Sequence, residues 1–277
     1  MTELLALASA ATFGIGDFFG GFASRRADPV RVTALAQVAS VAVLVPLVLM
    51  VPAPQVTGVD MAWGAGGGLF GMIGVLGLYI GLGRGPMGVV APITAVLSAV
   101  VPVGFGLATG ERPAGLAYVG IVLGIVAIAV VSRGHAESGA VPRSAILSAL
   151  VGGVGFGLFF IFLAQTHVDS GMWPLVGSRA VSIPVAAALA AVTTGGFRPE
   201  AAGFRFAVAA GLVDMTANGF FVAAGQRGLV SIASVLAALY PVGTVLLARI
   251  VLGERLARHQ LVGVAVGVAA VAAIGAA

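Results

Sequence analysis

The chain has 277 residues, of which 60% are hydrophobic and only 9% are charged. About a quarter of the residues of a soluble protein are charged, so this composition excludes a soluble chain and indicates an integral membrane protein. At about 20 residues per membrane-spanning helix, the length allows about ten helices and no sizeable soluble domain. The absence of cysteine excludes disulfides, thiolate metal sites and cysteine nucleophiles.

The net charge of +4 comes from 14 arginines, with no lysine in the chain. In a soluble protein such a balance can indicate nucleic-acid binding. Here the arginines are spread singly or in pairs over short connections and form no basic face. We therefore expect no nucleic-acid partner and interpret the arginines as markers of membrane topology.

Read in chain order, the apolar runs predict ten membrane-spanning helices separated by short connections that contain Pro, Gly or charged residues. The first run lacks a basic leader and contains Asp17, so it predicts a retained helix rather than a signal peptide. The ten predicted helices cover approximately Leu4–Ala23, Val30–Val51, Met61–Gly83, Gly88–Thr109, Ala114–Ser132, Ser144–Gln165, Gly171–Val192, Phe204–Gln226, Leu229–Leu252 and His259–Ile274.

An internal repeat relates the two halves of the chain. Arg84-Gly85 and Glu111-Arg112 recur 143 positions later as Arg227-Gly228 and Glu254-Arg255. The repeat predicts two units of five helices, residues 1–132 and 144–277, joined by a polar linker over 133–143. Because five is odd, the second unit must enter the membrane from the opposite face, which predicts an inverted-topology pair.

Two segments carry a family resemblance. The run from Ala238 to Arg249, with Tyr240-Pro241 near its start, resembles the second EamA repeat of the drug/metabolite transporter superfamily, as does the following Gly253-Glu254-Arg255. Residues 14–26, from Gly14 to Arg26, are similar to the opening helix of bacterial members. The resemblance implies ten helices in two inverted repeats around a cavity lined by helices one, three, four, six, eight and nine.

The first repeat departs from this pattern. Ser98 stands where the second repeat has Pro241, and Pro102 comes one turn later. We therefore expect the helix distortion of the first repeat at a different position.

Three charged residues lie inside predicted helices more than one turn from either end, and a charge at a helix centre costs about 2.5–3.5 kcal/mol and therefore indicates function. Asp17 and Asp214 are predicted to line the cavity as substrate contacts or as the proton-coupling site, with bonding to backbone groups as the alternative. Asn218 lies four residues after Asp214 and shares its helix face. Arg179, the third, lies near the start of a helix that is peripheral in relatives. There it could extend its charge to the membrane surface.

For Arg179 we favour a structural role, bonding carbonyls or pairing with an acid, over direct substrate contact. Its counterpart in the first half is Gln37, 142 positions earlier. We also expect structural roles for the charged residues of the repeated turns. Each glutamate should cap or clamp its own hairpin together with the neighbouring arginine. The two pairs are Glu111 with Arg112, and Glu254 with Arg255.

Five weaker candidates for the cavity are aromatic or hydroxyl residues, for which simple packing is the alternative: Tyr79, Ser98, Phe156, Phe160 and Tyr240. The histidines, His135, His167 and His259, lie far apart in sequence and at no metal-ligand spacing. No nucleophile and base accompany the acids. We therefore expect no metal, no cofactor and no enzymatic activity.

Glycine makes up 42 of the residues, many of them spaced four apart within the apolar runs, such as Gly16 and Gly20, or Gly153 and Gly157. Between membrane helices, small residues permit close backbone approach. These glycines predict tight helix packing.

The two indicators of membrane orientation disagree. Eleven arginines fall in or beside odd-numbered connections and only Arg112 and Arg227 beside even-numbered ones. This count places the odd-numbered connections in the cytoplasm, whereas the resemblance implies cytoplasmic termini. Both indicators place the two termini on one face.

Together, the resemblance, the inverted repeat and the intramembrane acids predict a secondary transporter. We expect an exporter of a small organic metabolite, amino-acid-like or otherwise polar or amphipathic, working by alternating access in the cell (inner) membrane. Its expected partners are the bilayer, the solute and, if an acid is the coupling group, protons; the chain acts as a monomer or homodimer. The nearest alternative is a multidrug or cation efflux transporter, and the contrasting class is a non-transporting membrane enzyme or subunit.

Overall fold

The computed structural model describes residues 1–131, 141–196, 201–252 and 258–275, and these ranges are helical almost throughout. A short 3-10 turn, Val168–Ser170, lies in one connection. The α-helices are α1 Thr2–Ser24, α2 Pro29–Ala39, α3 Val41–Met50, α4 Gly58–Arg84, α5 Met87–Ala108, α6 Gly115–Val131, α7 Arg143–Ala164, α8 Trp173–Thr194, α9 Ala201–Gly225, α10 Val230–Ala237, α11 Pro241–Leu252 and α12 Arg258–Gly275.

Eight segments of the described chain are long and apolar enough to cross a bilayer. In this set α2 and α3 count together as one segment, as do α10 and α11. A shorter apolar helix covers Gly115–Ala127. The protein is therefore an all-helical multi-pass membrane protein, while the predicted total of ten membrane-spanning helices stays a prediction.

The second predicted helix, Val30–Val51, is interrupted at Ser40, which separates α2 from α3. The Ser40 hydroxyl donates a hydrogen bond to the carbonyl of Gln37 at 2.6 Å. Such back-bonding by serine competes with the helical hydrogen-bond ladder and bends helices. The two helices still form one apolar segment long enough to cross the membrane, Pro29–Met50, in agreement with the prediction, and the break between them lies at a residue that also contacts the polar centre.

The ninth predicted helix is interrupted as well, between the end of α10 at Ala237 and the start of α11 at Pro241. Proline has no N–H group and disfavours the helical conformation of the residue before it, here Tyr240. By contrast, Pro92 and Pro102 both lie inside the unbroken helix α5. The first repeat therefore has no interruption at the position that corresponds to Pro241.

The two halves pack against each other along their helices. Helix α1 of the first half packs on α9 of the second half, and α7 of the second half packs on α4 of the first. A Cβ atom on Gly14 would lie 2.6 Å from the carbonyl oxygen of Tyr240, and one on Gly157 would lie 3.2 Å from that of Leu97. Gly157 lies 143 positions after Gly14, and Leu97 lies 143 positions before Tyr240, so the same contact occurs in both halves.

A second pair of contacts repeats in the same way. Gly68 of α4 faces the carbonyl of Ser178 in α8, and Gly211 of α9 faces that of Ala36 in α2. A methyl group added to either glycine would collide with that carbonyl. The helix packing in the described ranges therefore repeats with the sequence. The inverted relation of the halves and their boundaries at 132 and 144 stay predictions, because most of the linker lies outside the described residues.

Candidate functional site

An ion pair joins α8 to α9. Arg179 donates from Nη2 to Oδ2 of Asp214 at 3.0 Å. Only 8% of the Arg179 side chain is exposed, compared with 21% of the Asp214 side chain. Arg179 therefore does not extend to the membrane surface, as its position near the helix start had suggested, but neutralises a carboxylate between helices.

The same arginine reaches the junction between α2 and α3. Its Nε donates to the Ser40 hydroxyl at 2.8 Å. One turn away, the hydroxyl of Ser182 donates to Oε1 of Gln37 at 3.0 Å. All four residues are buried. Two hydrogen bonds thus hold α2 and α3 against α8 beside the ion pair.

Asn218 completes the environment of Asp214 from within α9. Its Nδ2 donates to Oδ2 of Asp214 and to the Asp214 carbonyl, both at 2.8 Å. These bonds follow from the four-residue spacing, which places the two side chains on one helix face. The amide oxygen of Asn218 is buried and has no hydrogen-bond partner among the described residues. The cluster therefore presents one unused acceptor.

Asp17 lies on α1, opposite the ion pair. A Cβ on its neighbour Gly16 would be 3.5 Å from the backbone nitrogen of Asp214, and the two carboxyl groups are close enough to interact electrostatically. Asp17 is buried and makes no hydrogen bond or ion pair to any residue that the structure describes. A charged group in such a position is costly unless a cation or proton joins it.

Two buried tyrosines lie within electrostatic range of Asp17. The ring of Tyr79 on α4 packs against Gly20 of α1. Tyr240, at the interruption before α11, directs its hydroxyl towards the carbonyl of Ala91 at 3.5 Å. Ser98 lies beside this hydroxyl and donates to the Ala95 carbonyl within α5. Tyr79 and Tyr240 therefore lie near Asp17, and Ser98 lies next to Tyr240.

An aromatic cluster begins one turn before Asp17. The ring of Phe13 lies 6.4 Å from that of Tyr240 and 6.2 Å from that of Phe160. Phe160 in turn stacks on Phe221 of α9 at 4.2 Å. Phe156 packs against Gly74 at the α4–α7 contact. Of the two predicted phenylalanines, Phe160 thus joins the aromatic cluster next to the acids.

Glu111 caps a helix, though not the one expected. Its carboxylate accepts hydrogen bonds from the backbone N–H groups of Val230, at 2.7 Å, and Ser231, at 3.1 Å, at the start of α10. Arg112 donates to the backbone carbonyl of Glu111. The expectation of a clamp within one hairpin was wrong, because the carboxylate binds the N-terminus of a helix in the other half. The corresponding residues of the second repeat, Glu254 and Arg255, lie outside the described residues.

The sequence did not indicate several members of this centre: Ser40, Ser182, Phe13 and Phe221. One signal for the two serines was available, since Ser40 and Ser182 are 142 positions apart, as are Gln37 and Arg179. Within the described ranges, no group of three His, Asp or Glu residues is arranged to hold a metal ion.

A charge-bearing centre is thus assembled from separate helices. The carboxyl of Asp17 belongs to α1, the guanidinium of Arg179 to α8, and the carboxylate and amide of Asp214 and Asn218 to α9. Such a centre can bind a cationic group at Asp17, an anionic group at Arg179, or a proton at either acid.

Comparison with known proteins identifies the family. A model of the EamA-like transporter family matches residues 1–133 and 143–276. A solved structure titled "Crystal structure of protein" matches with a TM-score of 0.70 at 18% identity, over 97% of this chain and 98% of that one, which supports a similar fold. No curated protein matched. The chain therefore belongs to the EamA-like transporter family, whose members are membrane-spanning transporters rather than enzymes.

Proposed function

We propose that this protein is a secondary transporter that exports a small organic solute by alternating access. The observation that most supports the proposal is the buried carboxyl of Asp17, without a described partner, opposite the Arg179–Asp214 ion pair. Placing such groups inside a membrane protein is costly, and they are typical of substrate and proton pathways. The proposed partners are the lipid bilayer of the inner cell membrane, the solute and protons.

The repeated packing supports alternating access. Glycine contacts such as Gly68 with Ser178 recur as Gly211 with Ala36, so equivalent helix pairs occur in the two halves. If the halves are inverted, exchanging their conformations converts a centre open to one face into a centre open to the other. The small contact surfaces around these glycines permit such movement with little change in side-chain packing.

Proton coupling is assigned to Asp17 in this proposal. Asp214 already has a guanidinium partner at 3.0 Å, which stabilises its charged form. Asp17 has no such partner in the described structure, so a proton or a cationic solute must compensate its charge. An amine-bearing solute that enters the site would displace the proton from Asp17, and this exchange would couple export to a proton gradient.

A multidrug or cation efflux transporter is the second candidate, and the aromatic cluster favours it. Phe13 lies one turn before Asp17, and its ring neighbours those of Tyr240 and Phe160. Aromatic faces stabilise cations in desolvated sites by up to about 2 kcal/mol. This combination would suit an organic cation as well as a metabolite amine. The chain works as a monomer or homodimer under either candidate.

The test uses purified protein in liposomes, with a radiolabelled panel of amino acids and organic cations as solutes. The wild type, Asp17→Asn and Asp214→Asn are compared for pH-gradient-driven transport and for solute exchange without a gradient. We expect Asp17→Asn to lose gradient-driven accumulation and to retain exchange. Asp214→Asn should impair both, because Arg179 loses its partner.

Arg112→Gln is the matched control, since it removes a charge from an exposed turn, and it should transport normally. Full gradient-driven transport by both aspartate variants would exclude either carboxyl as the coupling site. Failure of the wild type to move any solute of the panel down its own gradient would count against transport of these solute classes.

A further inference from the structure

A groove of about 530 Å³ lies between α3 and α8. One wall is formed by aliphatic residues of α3, including Val41, Val45 and Leu49, and the other by residues of α8 from Trp173 to Pro184. Leu49 is 80% and Val45 50% exposed. Because these exposed side chains are apolar and belong to membrane-spanning helices, the groove faces the hydrocarbon region of the bilayer rather than water.

Arg179 is the one charged residue among those that line the groove. Two of its nitrogens are occupied, Nε by Ser40 and Nη2 by Asp214. The Nη1 group makes no hydrogen bond to any residue of the described ranges. A guanidinium carries five N–H donors in a planar fork and binds a carboxylate through two parallel hydrogen bonds. The edge formed by Nη1 and the second hydrogen of Nη2 is therefore available to a second anion.

We propose that this groove binds an amphipathic monocarboxylate from the bilayer, with the carboxylate on the free edge of Arg179 and the alkyl chain along the apolar walls. The proposal rests on charge complementarity within an otherwise apolar surface. The proposed carboxylate would compensate the cation from the lipid side, while Asp214 compensates it from the protein side. This site is separate from Asp17 and does not depend on the proposed transport.

The depth of Arg179 favours a single-chain acid over a phospholipid. Arg179 follows Trp173 by six residues, which places it about 9 Å further along the helix. Trp173 is the first residue of α8 and lines the groove, and tryptophan is typical of the membrane–water interface. A phospholipid phosphate remains at that interface, whereas a monocarboxylate can enter with its chain. A chain that reaches back from Arg179 to Trp173 has roughly eight carbons at this spacing.

Trp173 also provides the measurement, because the chain has only two tryptophans. The other, Trp63 on α4, packs edge-on against Phe162 of α7, so Trp63→Phe leaves Trp173 as the single tryptophan. Purified Trp63→Phe protein in lipid nanodiscs is titrated with 8-bromooctanoate, whose bromine quenches nearby indole rings. 8-Bromooctanol, with the same chain and no charge, is the control ligand. We expect saturable quenching by the acid and at least tenfold weaker quenching by the alcohol.

Three further variants distinguish binding in the groove from simple partitioning into the bilayer. Ala180→Phe places a ring at an exposed position that lines the groove and should reduce the affinity for the acid at least tenfold. Val192→Phe adds the same ring to the same helix at a residue that is 85% exposed and does not line the groove; it should leave the affinity unchanged. Arg179→Gln should abolish the difference between acid and alcohol.

If Arg179→Gln does not fold, the comparison of acid with alcohol and the Ala180→Phe variant still decide. Equal quenching by acid and alcohol, or full affinity in Ala180→Phe, would overturn the proposal. So would saturable quenching by a brominated phosphatidylglycerol that octanoate fails to reverse, because a phospholipid would then occupy the groove.

Discussion

The two halves of the protein pack alike and differ in their charges. Gly68 meets the carbonyl of Ser178 as Gly211 meets that of Ala36. By contrast, Asp17 and Asp214 correspond, 143 positions away, to a phenylalanine and a glycine. The small residues that set the helix contacts are thus repeated, as are the charged residues of the Gly-Glu-Arg turns, while the charged residues inside the membrane-spanning helices are not. The framework and the chemistry of this fold are specified by different positions.

The contacts between α2 and α8 also combine a repeated pair of positions with a charge that is not repeated. Arg179 bonds Ser40, and Gln37 bonds Ser182. Each residue of the first pair lies 142 positions from its counterpart in the second. The same contact therefore occurs twice, but only one copy carries a positive charge.

This asymmetry has a consequence for conformational exchange. Two identical inverted halves would make the inward- and outward-open states equal in energy. If the halves are inverted copies, an ion pair present in only one of them would break that equality, because its environment would differ between the two states. Such a transporter would have an intrinsic preference for one state, which solute or protons would then shift.

The largest expected effect on stability comes from replacing Arg179 by the residue at the corresponding position of the first half. Arg179→Gln gives both halves glutamine, and it leaves the Asp214 carboxylate without its counter-charge. Removing one partner of a buried ion pair costs about 3–5 kcal/mol. We expect a loss of that size in the free energy of unfolding, measured by SDS titration of the purified protein.

The control for this prediction is the double variant Arg179→Gln/Asp214→Asn. Because it removes both charges, it should recover most of the lost stability. If Arg179→Gln alone lowers the free energy of unfolding by less than about 1 kcal/mol, the loss is well below the range for breaking a buried pair. The ion pair would then contribute little to stability.

A smaller effect is expected from the repeated framework. Gly68→Ala and Gly211→Ala each place a methyl group against a backbone carbonyl, which cannot move without separating the helices. Overpacking of this kind costs about 1–3 kcal/mol. If the halves are equivalent, the two variants should lose similar amounts in the same SDS titration.

Gly104→Ala is the matched control, because a Cβ at Gly104 would meet no atom within 4 Å. It should be neutral, or slightly stabilising through helix propensity. A large loss for Gly68→Ala with none for Gly211→Ala would break the comparison, since the framework would then differ between the halves as the charges do.

Much of the fold could be predicted from composition and the repeat. The predicted helix Gly88–Thr109 differs by one residue at each end from α5, Met87–Ala108, because long apolar runs with Gly and Pro at their ends define a membrane helix clearly. The break between α2 and α3 at Ser40 could not be predicted. Serine occurs in straight helices too, and here its position is coupled to Arg179, which lies 139 residues away.

The candidate site was only partly predictable for a similar reason. The cost of a charge in the membrane singles out Asp17, Asp214 and Arg179 from the sequence alone. Helical spacing gives the face on which a side chain lies, but not the helix that the face meets. The ion pair was therefore one of several open possibilities for Arg179, and the capping of α10 by Glu111 was missed, because the two are 119 residues apart.

The smallest expected effect concerns the two serines between α2 and α8. Ser182 makes a neutral hydrogen bond to Gln37, and such bonds between membrane helices contribute about 0.6 kcal/mol on average. Ser40 accepts from the charged guanidinium of Arg179, and charge-assisted bonds are about twice as strong. Ser40→Ala should therefore cost about twice as much as Ser182→Ala in the SDS titration.

The Arg179→Gln background makes this comparison sharper. Without the guanidinium, Ser40 faces a glutamine, as Ser182 does, so the charge that distinguishes the two serines is gone. The costs of Ser40→Ala and Ser182→Ala should then converge at about 0.6 kcal/mol. A difference that persisted in this background would have to come from the second bond of Ser40, to the Gln37 carbonyl at 2.6 Å. The two halves would then differ in the hydrogen bonding at the junction between α2 and α3 as well as in charge.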